Sequence, residues 1–119
     1  MPSRDFTRSD RISAELRRQL GAMVHEAVRD HALPSMSVSD VEVTRDFDFA
    51  TVYVTALLPD RAVEGVKLLN EMAKEFRREL SKVMSMRRVP ELRFKYDDSV
   101  DRGERIEALL REKPRDGNQ

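Results

Sequence analysis

Residues 41–57, VEVTRDFDFATVYVTAL, contain the change of pattern that decides the fold. Apolar and polar residues alternate in both halves of this stretch, which is typical of strands that bury one face. In the second half alanine and valine occupy one face, and threonine and tyrosine occupy the other. Asp46 and Asp48 lie between the halves, and aspartate favours turns. The pattern predicts a β-hairpin within residues 37–58.

An amphipathic helix is predicted before the hairpin, over residues 9–29. Ser9 and Asp10 are suitable N-caps for this helix. Apolar side chains recur at intervals of three and four residues, so they form one stripe along the helix. The stripe consists of Ile12, Leu16, Leu20, Met23, Val24, Ala27 and Val28.

Helical spacing returns after the hairpin, over residues 63–86. This stretch is long, and propensity alone leaves open whether it forms one helix or two helices with a kink between Met72 and Lys74. The sequence around Pro90 is predicted to stop the helix, because the residue before a proline is forced out of the α region.

A third strand is predicted over residues 91–98, ELRFKYDD, and a short amphipathic segment follows over residues 102–113. The core-facing residues of the strand are expected to be Leu92, Phe94 and Tyr96. This order of elements predicts an α+β fold, in which the amphipathic helices cover one face of a three-stranded sheet. If the second and third strands are parallel neighbours, the crossover between them is expected to be right-handed.

Chain length and composition limit the possible domain organisation, chemistry and location of the protein. The 119 residues suffice for one compact domain. We assign residues 9–112 to this domain, with a flexible N-terminus over residues 1–8 and a disordered tail over residues 113–119. The absence of cysteine excludes disulfides and thiolate metal sites. Neither a signal peptide nor an apolar run of membrane-spanning length is present, so we expect a cytoplasmic protein with no membrane partner.

Positive charge is concentrated in residues 74–95, although the 22 cationic and 22 anionic residues of the chain balance. Eight cations lie in this stretch beside three anions. A solvated helix face with pairs between neighbouring charges is one explanation. However, a cluster of one sign attracts a polyanion, and a basic stripe is typical of nucleic-acid-binding domains. The predicted phosphate-binding residues are Lys74, Arg77, Arg78, Lys82, Arg87 and Arg88, followed by the weaker candidates Arg45, Arg4, Arg8 and Arg11.

The sequence predicts no catalytic, metal or cofactor site. His25 and His31 are six residues apart and lack the spacing of a helical metal-binding pair. Asp97 and Asp98 are adjacent at a strand end, so their side chains point to opposite faces. Glycine-rich phosphate loops and nucleophile motifs are absent. We expect a protein that is not an enzyme and has no small-molecule substrate, and a hydrolase is the least favoured hypothesis.

Two segments carry a resemblance to a known family. Residues 38–57, VSDVEVTRDFDFATVYVTAL, and residues 68–110, LLNEMAKEFRRELSKVMSMRRVPELRFKYDDSVDRGERIEALL, resemble the ribosome-binding factor A family of bacteria. The resemblance implies a type II KH-like domain with the order α-β-β-α-α-β. It also implies a helix kink at Ala73, because the family has an Ala-x-Gly triplet where this chain has Ala73-Lys74-Glu75.

The same resemblance implies a function. It predicts a ribosome assembly factor that binds the free 30S subunit and its 16S rRNA during late maturation, supports rRNA processing and matters most in the cold. We therefore expect the 30S subunit and its 16S rRNA as partners. We also expect the protein to be a monomer. The chain lacks the GXXG loop with which KH domains clamp nucleotides, so its basic residues are expected to make the contacts. A protein-interaction adaptor with a basic face is the alternative hypothesis.

Overall fold

The computed structural model describes residues 8–99, and this part of the chain contains three α-helices and one three-stranded sheet. In chain order the elements are α1 (Arg8–His31), β1 (Met36–Val43), β2 (Phe49–Ala56), α2 (Ala62–Glu71), α3 (Ala73–Val83) and β3 (Glu91–Tyr96). The predicted α+β order is confirmed. The segment predicted over residues 102–113 and the tail predicted over residues 113–119 lie outside the described residues, as do residues 1–7.

The predicted hairpin is formed by β1 and β2, which pair antiparallel. β3 pairs with β2 in parallel, so the strand order is β1-β2-β3. Val52 of the central strand lies opposite Val41 of β1 and Phe94 of β3. All three side chains are buried, so this row of residues marks the sheet face that the helices cover.

The helices divide this face between them, with α1 against β1 and with α2 and α3 against β3. The apolar stripe predicted for α1 is confirmed, because Leu16, Leu20, Val24 and Ala27 are buried. The other three residues of the stripe are partly buried against the same core. Burial of each of the larger aliphatic side chains contributes about 1.5–3 kcal/mol, so this stripe is a main source of stability.

α2 and α3 approach the sheet closely through particular side chains. The rings of Phe76 in α3 and Phe94 in β3 lie 5.7 Å apart at an interplanar angle of 58°, a tilted geometry that aromatic pairs favour. A Cβ atom at Gly65 of α2 would lie 2.1 Å from the sulfur of Met36, at the start of β1. The absence of a side chain at Gly65 therefore allows α2 to pack at this distance.

The long helical stretch is broken at Met72, so it forms two helices. Met72 has φ −95° and ψ 3°, outside the helical range. Its N–H donates to the carbonyls of Leu68 at 3.2 Å and Leu69 at 3.0 Å, which tightens the last turn of α2. Its own carbonyl accepts the N–H of Phe76 at 3.0 Å and so begins α3. Ala73 is the first residue of the new helix.

The predicted end of the helical stretch is wrong by three residues, because α3 ends at Val83. Met84 has an extended backbone, with φ −109° and ψ 139°, and its side chain is buried. Val89 and Pro90 are buried as well. Packing against the core, rather than the proline, therefore ends the helix, and the link over residues 84–90 connects α3 to β3.

Candidate nucleic-acid interface

Five of the predicted phosphate-binding residues line one shallow depression between α3 and the link to β3. They are Lys74, Arg77, Arg78, Arg87 and Arg88. The first three lie together on α3, because positions three and four apart are neighbours on a helix. The remaining lining residues are the uncharged Ser81 and Val89. The depression is therefore lined by positive and neutral side chains, a combination that attracts anions.

Arg77 is the best anchored of these five side chains. It is half-buried, and its Nε donates a hydrogen bond to the carbonyl of Val89 at 2.9 Å. This bond ties α3 to the link that carries Arg87 and Arg88. Because it joins two elements, it positions cations that are ten residues apart in the sequence on one surface.

Arg88 forms an ion pair with Asp48, in the turn between β1 and β2. The Asp48 side chain is 38% exposed and the Arg88 side chain is 66% exposed. A pair this open to water contributes about 0.2–1 kcal/mol, so ligands can compete with it. The backbone of Asp48 is held more firmly, because its carbonyl accepts the N–H of Glu91 at 2.8 Å.

The hairpin turn that carries Asp48 is organised by Thr44 and Asp46. The N–H of Phe47 donates to the Thr44 carbonyl at 2.9 Å, and Phe47 has a positive φ of 63°. The Asp46 carboxylate accepts bonds from the Asp48 N–H at 3.0 Å and from the Thr44 hydroxyl at 2.8 Å. The Asp48 N–H first, and then the Thr44 hydroxyl, lower the pKa of Asp46 below its usual 3.8.

The basic surface continues from the link onto α1. A second depression joins Arg87 and Arg88 to Arg8, and the turn residues Asp46 and Phe47 form its wall. The guanidinium of Arg8 lies over the Phe47 ring, 5.1 Å from its centre, in a cation–π contact. A third depression joins Arg8 to its neighbours on α1 and to residues 83–86.

These three adjoining depressions define what we call the cationic band. Its members are Lys74, Arg77, Arg78, Arg87, Arg88, Arg8 and Arg11. One acidic residue of α1, Glu15, borders the band. The pKa of Glu15 is lowered chiefly by its hydrogen bond with Arg18, so its charge is shared with a cation outside the band.

Two of the predicted residues within the described part of the chain, Lys82 and Arg45, do not line these depressions. Lys82 is exposed on α3 and pairs with Glu79 at 3.7 Å. Arg45 is exposed in the hairpin turn. Arg4 lies outside the described residues. The structure therefore brings seven of the ten predicted positions together.

Arg93 and Lys95 lie on the sheet face opposite the helices. In the parallel pairing of β2 with β3, Arg93 lies opposite Thr51 and Lys95 lies opposite Tyr53. These positions alternate with the core-facing ones. Arg93 lies over the ring of Phe49, 4.8 Å from its centre, and Tyr53 donates to Glu42 at 3.2 Å. This face therefore mixes aromatic, acidic and basic groups and is separate from the cationic band.

Asp48 belongs to the basic surface in a way that the sequence pattern does not indicate. Turn formation accounts for the backbone of Asp48 but not for the pairing of its side chain with Arg88. The two residues are 40 positions apart, so no local pattern indicates their contact. The one available signal is the parallel pairing of β2 with β3, which brings the starts of both strands together.

Neither a metal-binding cluster nor a membrane-spanning helix is present within residues 8–99. No group of three or more histidine, aspartate or glutamate side chains in this part of the chain is arranged to hold a metal ion. None of its helices is long and apolar enough to cross a membrane.

The fold and the site define a class: a small α+β domain of KH-like element order with a cationic surface suited to a polyanion. Comparison with known families gives the particular family. The model of the family described as ribosome-binding factor A matches residues 8–110 of this chain. The chain therefore belongs to the ribosome-binding factor A family, and the resemblance found in the sequence is confirmed.

Curated relatives agree with this assignment over nearly the full chain. Ribosome-binding factor A of Xanthomonas euvesicatoria is 59% identical over 112 residues, which is 94% of this chain and 86% of the relative. The Stenotrophomonas maltophilia protein of the same name is 58% identical over 109 residues, covering 92% of this chain and 86% of the relative.

Solved structures of the family share the fold. The crystal structure of ribosome-binding factor A from Thermus thermophilus has a TM-score of 0.67 at 24% identity, covering 76% of this chain and 97% of that one. A homology model of the Thermus protein, fitted into the cryo-EM map of a complex with the 30S subunit, has a TM-score of 0.61 at 26% identity. It covers 72% of this chain and 91% of that one.

Proposed function

We propose that this chain is an assembly factor of the small ribosomal subunit, and that it binds the 30S subunit and its 16S rRNA through the cationic band. The observation that supports this proposal most strongly is that seven cations from α1, α3 and the link at residues 84–90 share one continuous surface. The names of the relatives and the 30S complex of the Thermus protein support the ribosome as the source of the polyanion.

The proposed action is binding without chemistry. Contacts from arginine and lysine to phosphates orient a protein on RNA and need not read its bases. Folded rRNA is recognised largely through its shape and its backbone, which suits a rigid surface fixed by bonds such as that from Arg77 to Val89. The family resemblance adds that this binding takes place in the cytoplasm during late maturation of the subunit. It also adds that the binding supports rRNA processing and matters most during growth in the cold.

Charge reversal at two exposed members of the band tests the proposal. We expect Lys74→Glu combined with Arg78→Glu to weaken co-sedimentation with purified 30S subunits at least about tenfold at low salt, because two phosphate contacts become repulsive. The matched control is Lys67→Glu combined with Lys95→Glu, which changes the net charge equally at exposed positions that do not line the band. The control variant should bind almost as the unaltered protein does.

Circular dichroism and thermal melting establish that both variants remain folded. Undiminished binding of the folded Lys74→Glu, Arg78→Glu variant would overturn the proposal. Weaker 30S binding by this variant, with no salt-sensitive affinity of the unaltered protein for purified 16S rRNA, would instead favour the protein-interaction adaptor with a basic face.

A further inference from the structure

The turn between β1 and β2 places acidic groups inside an otherwise basic surface. Asp48 pairs with Arg88, and Asp46 lies on the wall between Arg8 and the link residues. Among the seven members of the band, Arg88 is the one with an ion pair to a carboxylate in the described part of the chain. An anion at this position lowers the affinity of the surface for RNA, because it competes with the RNA phosphates for Arg88.

We propose that the carboxylate of Asp48 takes the place of an RNA phosphate at Arg88 in the free protein, and that RNA must displace it. This inference rests on the proposed function, because it concerns the same surface. The competition lowers the affinity for any single phosphate group. It therefore favours polyanions that engage several cations of the band at once.

The geometry makes displacement of the side chain feasible while the turn stays in place. The backbone of Asp48 is fixed by its N–H to Asp46 and by its carbonyl to Glu91. The side chain makes its bond with Arg88 in a position exposed to solvent. A phosphate can therefore replace the carboxylate through a side-chain movement, with the hairpin intact.

The exchange balances hydrogen bonds as well as charge. A guanidinium binds carboxylate and phosphate oxygens with the same donors, so Arg88 loses one charge-assisted bond and gains another. The released carboxylate is hydrated at the surface. The favourable free energy of binding a phosphate is therefore smaller at Arg88 than at Arg78 or Arg87. For these two residues no ion pair is present among residues 8–99.

The substitution Asp48→Asn isolates the carboxylate. Asparagine retains the backbone contacts and favours turns as aspartate does, so the hairpin should be preserved. Filter binding to purified 16S rRNA should show an affinity about two- to fivefold higher than that of the unaltered protein, as expected from the loss of one exposed pair. The slope of log K against log salt should change by much less than the roughly 0.7–0.9 of one phosphate contact, because Arg88 reaches a phosphate in both complexes.

Asp60→Asn is the matched control. It removes the same charge from an exposed residue at the opposite end of β2, beyond the range of the band. We expect less than about a twofold change in affinity, since surface charges separated by more than a Debye length are screened.

A double-mutant cycle separates displacement from simple repulsion. In an Arg88→Ala background, Asp48→Asn should increase the affinity for 16S rRNA by less than about twofold, because the pair no longer exists. An equal gain in both backgrounds would overturn the inference, since Asp48 would then only repel RNA at a distance. A lower or unchanged affinity of Asp48→Asn alone would overturn it as well.

The two proposals fail in different ways. If Lys74→Glu with Arg78→Glu weakens binding to 16S rRNA and Asp48→Asn does not strengthen it, the competition at Arg88 is wrong and the proposed function stands. If the charge reversals leave binding unchanged, the band is not the RNA-binding surface and both proposals fall.

Discussion

The side chain of Asn70 satisfies both backbone polar groups of Phe94. Asn70 Nδ2 donates to the Phe94 carbonyl at 3.1 Å, and the Phe94 N–H donates to Asn70 Oδ1 at 2.8 Å. Phe94 lies in β3, at the edge of the sheet, and Asn70 lies two residues before the break at Met72. This pair of bonds fixes the end of α2 on the sheet and so determines where α3, with its cations, begins.

We predict that Asn70→Ala lowers the free energy of unfolding by about 1–3 kcal/mol, because it removes the partners of two part-buried backbone groups. Urea denaturation at neutral pH measures this change. Lys67→Ala, at an exposed position on the same helix, is the control and should change stability by less than about 0.5 kcal/mol. An equally small effect of Asn70→Ala would show that water satisfies the edge strand.

Gly65 and Gly21 give a matched pair of substitutions within helices. Gly21→Ala in α1 should raise stability by about 0.5–1 kcal/mol, because alanine lowers the entropy of the unfolded chain and its Cβ would meet nothing within 4 Å. Gly65→Ala should instead lower stability by about 1–3 kcal/mol, since the Cβ would overlap the buried side chain of Met36. Thermal melting compares the two variants, and a gain at both positions would contradict the close packing of α2.

Ala32 follows the C-terminus of α1 and has a positive φ of 55°. Glycine is usual at this position, because an L side chain in the left-handed region is strained by about 1–2 kcal/mol. We predict that Ala32→Gly raises the melting temperature and that Ala32→Val, with a β-branched side chain, lowers it. The same direction of change for both substitutions would be inconsistent with the strained backbone.

Asp46 should titrate below its usual pKa of 3.8, because two hydrogen-bond donors favour its charged form. Its contribution to stability is therefore complete above about pH 5 and is lost as the pH falls through the lower pKa of the folded state. Carbon-detected NMR of the carboxyl group measures the titration. Thr44→Val removes one donor and should raise the pKa of Asp46 towards its usual value; an unchanged pKa would show that the Asp48 N–H alone lowers it.

Local patterns predict much of the fold, because α1 and the hairpin each bury one regular face. The alternation of residues 50–54 and the stripe that includes Leu16 and Leu20 required no knowledge of neighbouring elements. The break at Met72 and the end of α3 at Val83 depend on tertiary packing. Helical propensity does not change at either residue. Residue patterns therefore left the first break undecided, although the family resemblance implied a kink at Ala73, and they placed the end of α3 too late.

The site was predicted in part for a similar reason. Lys74, Arg77 and Arg78 are close in the sequence, and helical spacing alone places them together. The separation of Lys82 from the depression follows from its position at the end of α3, where it pairs with Glu79. The contact between Asp48 and Arg88 arises from the parallel pairing of distant strands, which residue patterns do not specify.

The central claim, that the cationic band binds RNA phosphates, is tested most directly by the salt dependence of binding. The measurement is the slope of log K against log salt for 16S rRNA, compared between the unaltered protein and the triple variant Lys74→Ala, Arg78→Ala, Arg87→Ala. We predict that the slope becomes shallower by roughly 2–3 units, because each lost phosphate contact removes about 0.7–0.9. An unchanged slope, in a variant that remains folded, would contradict the claim.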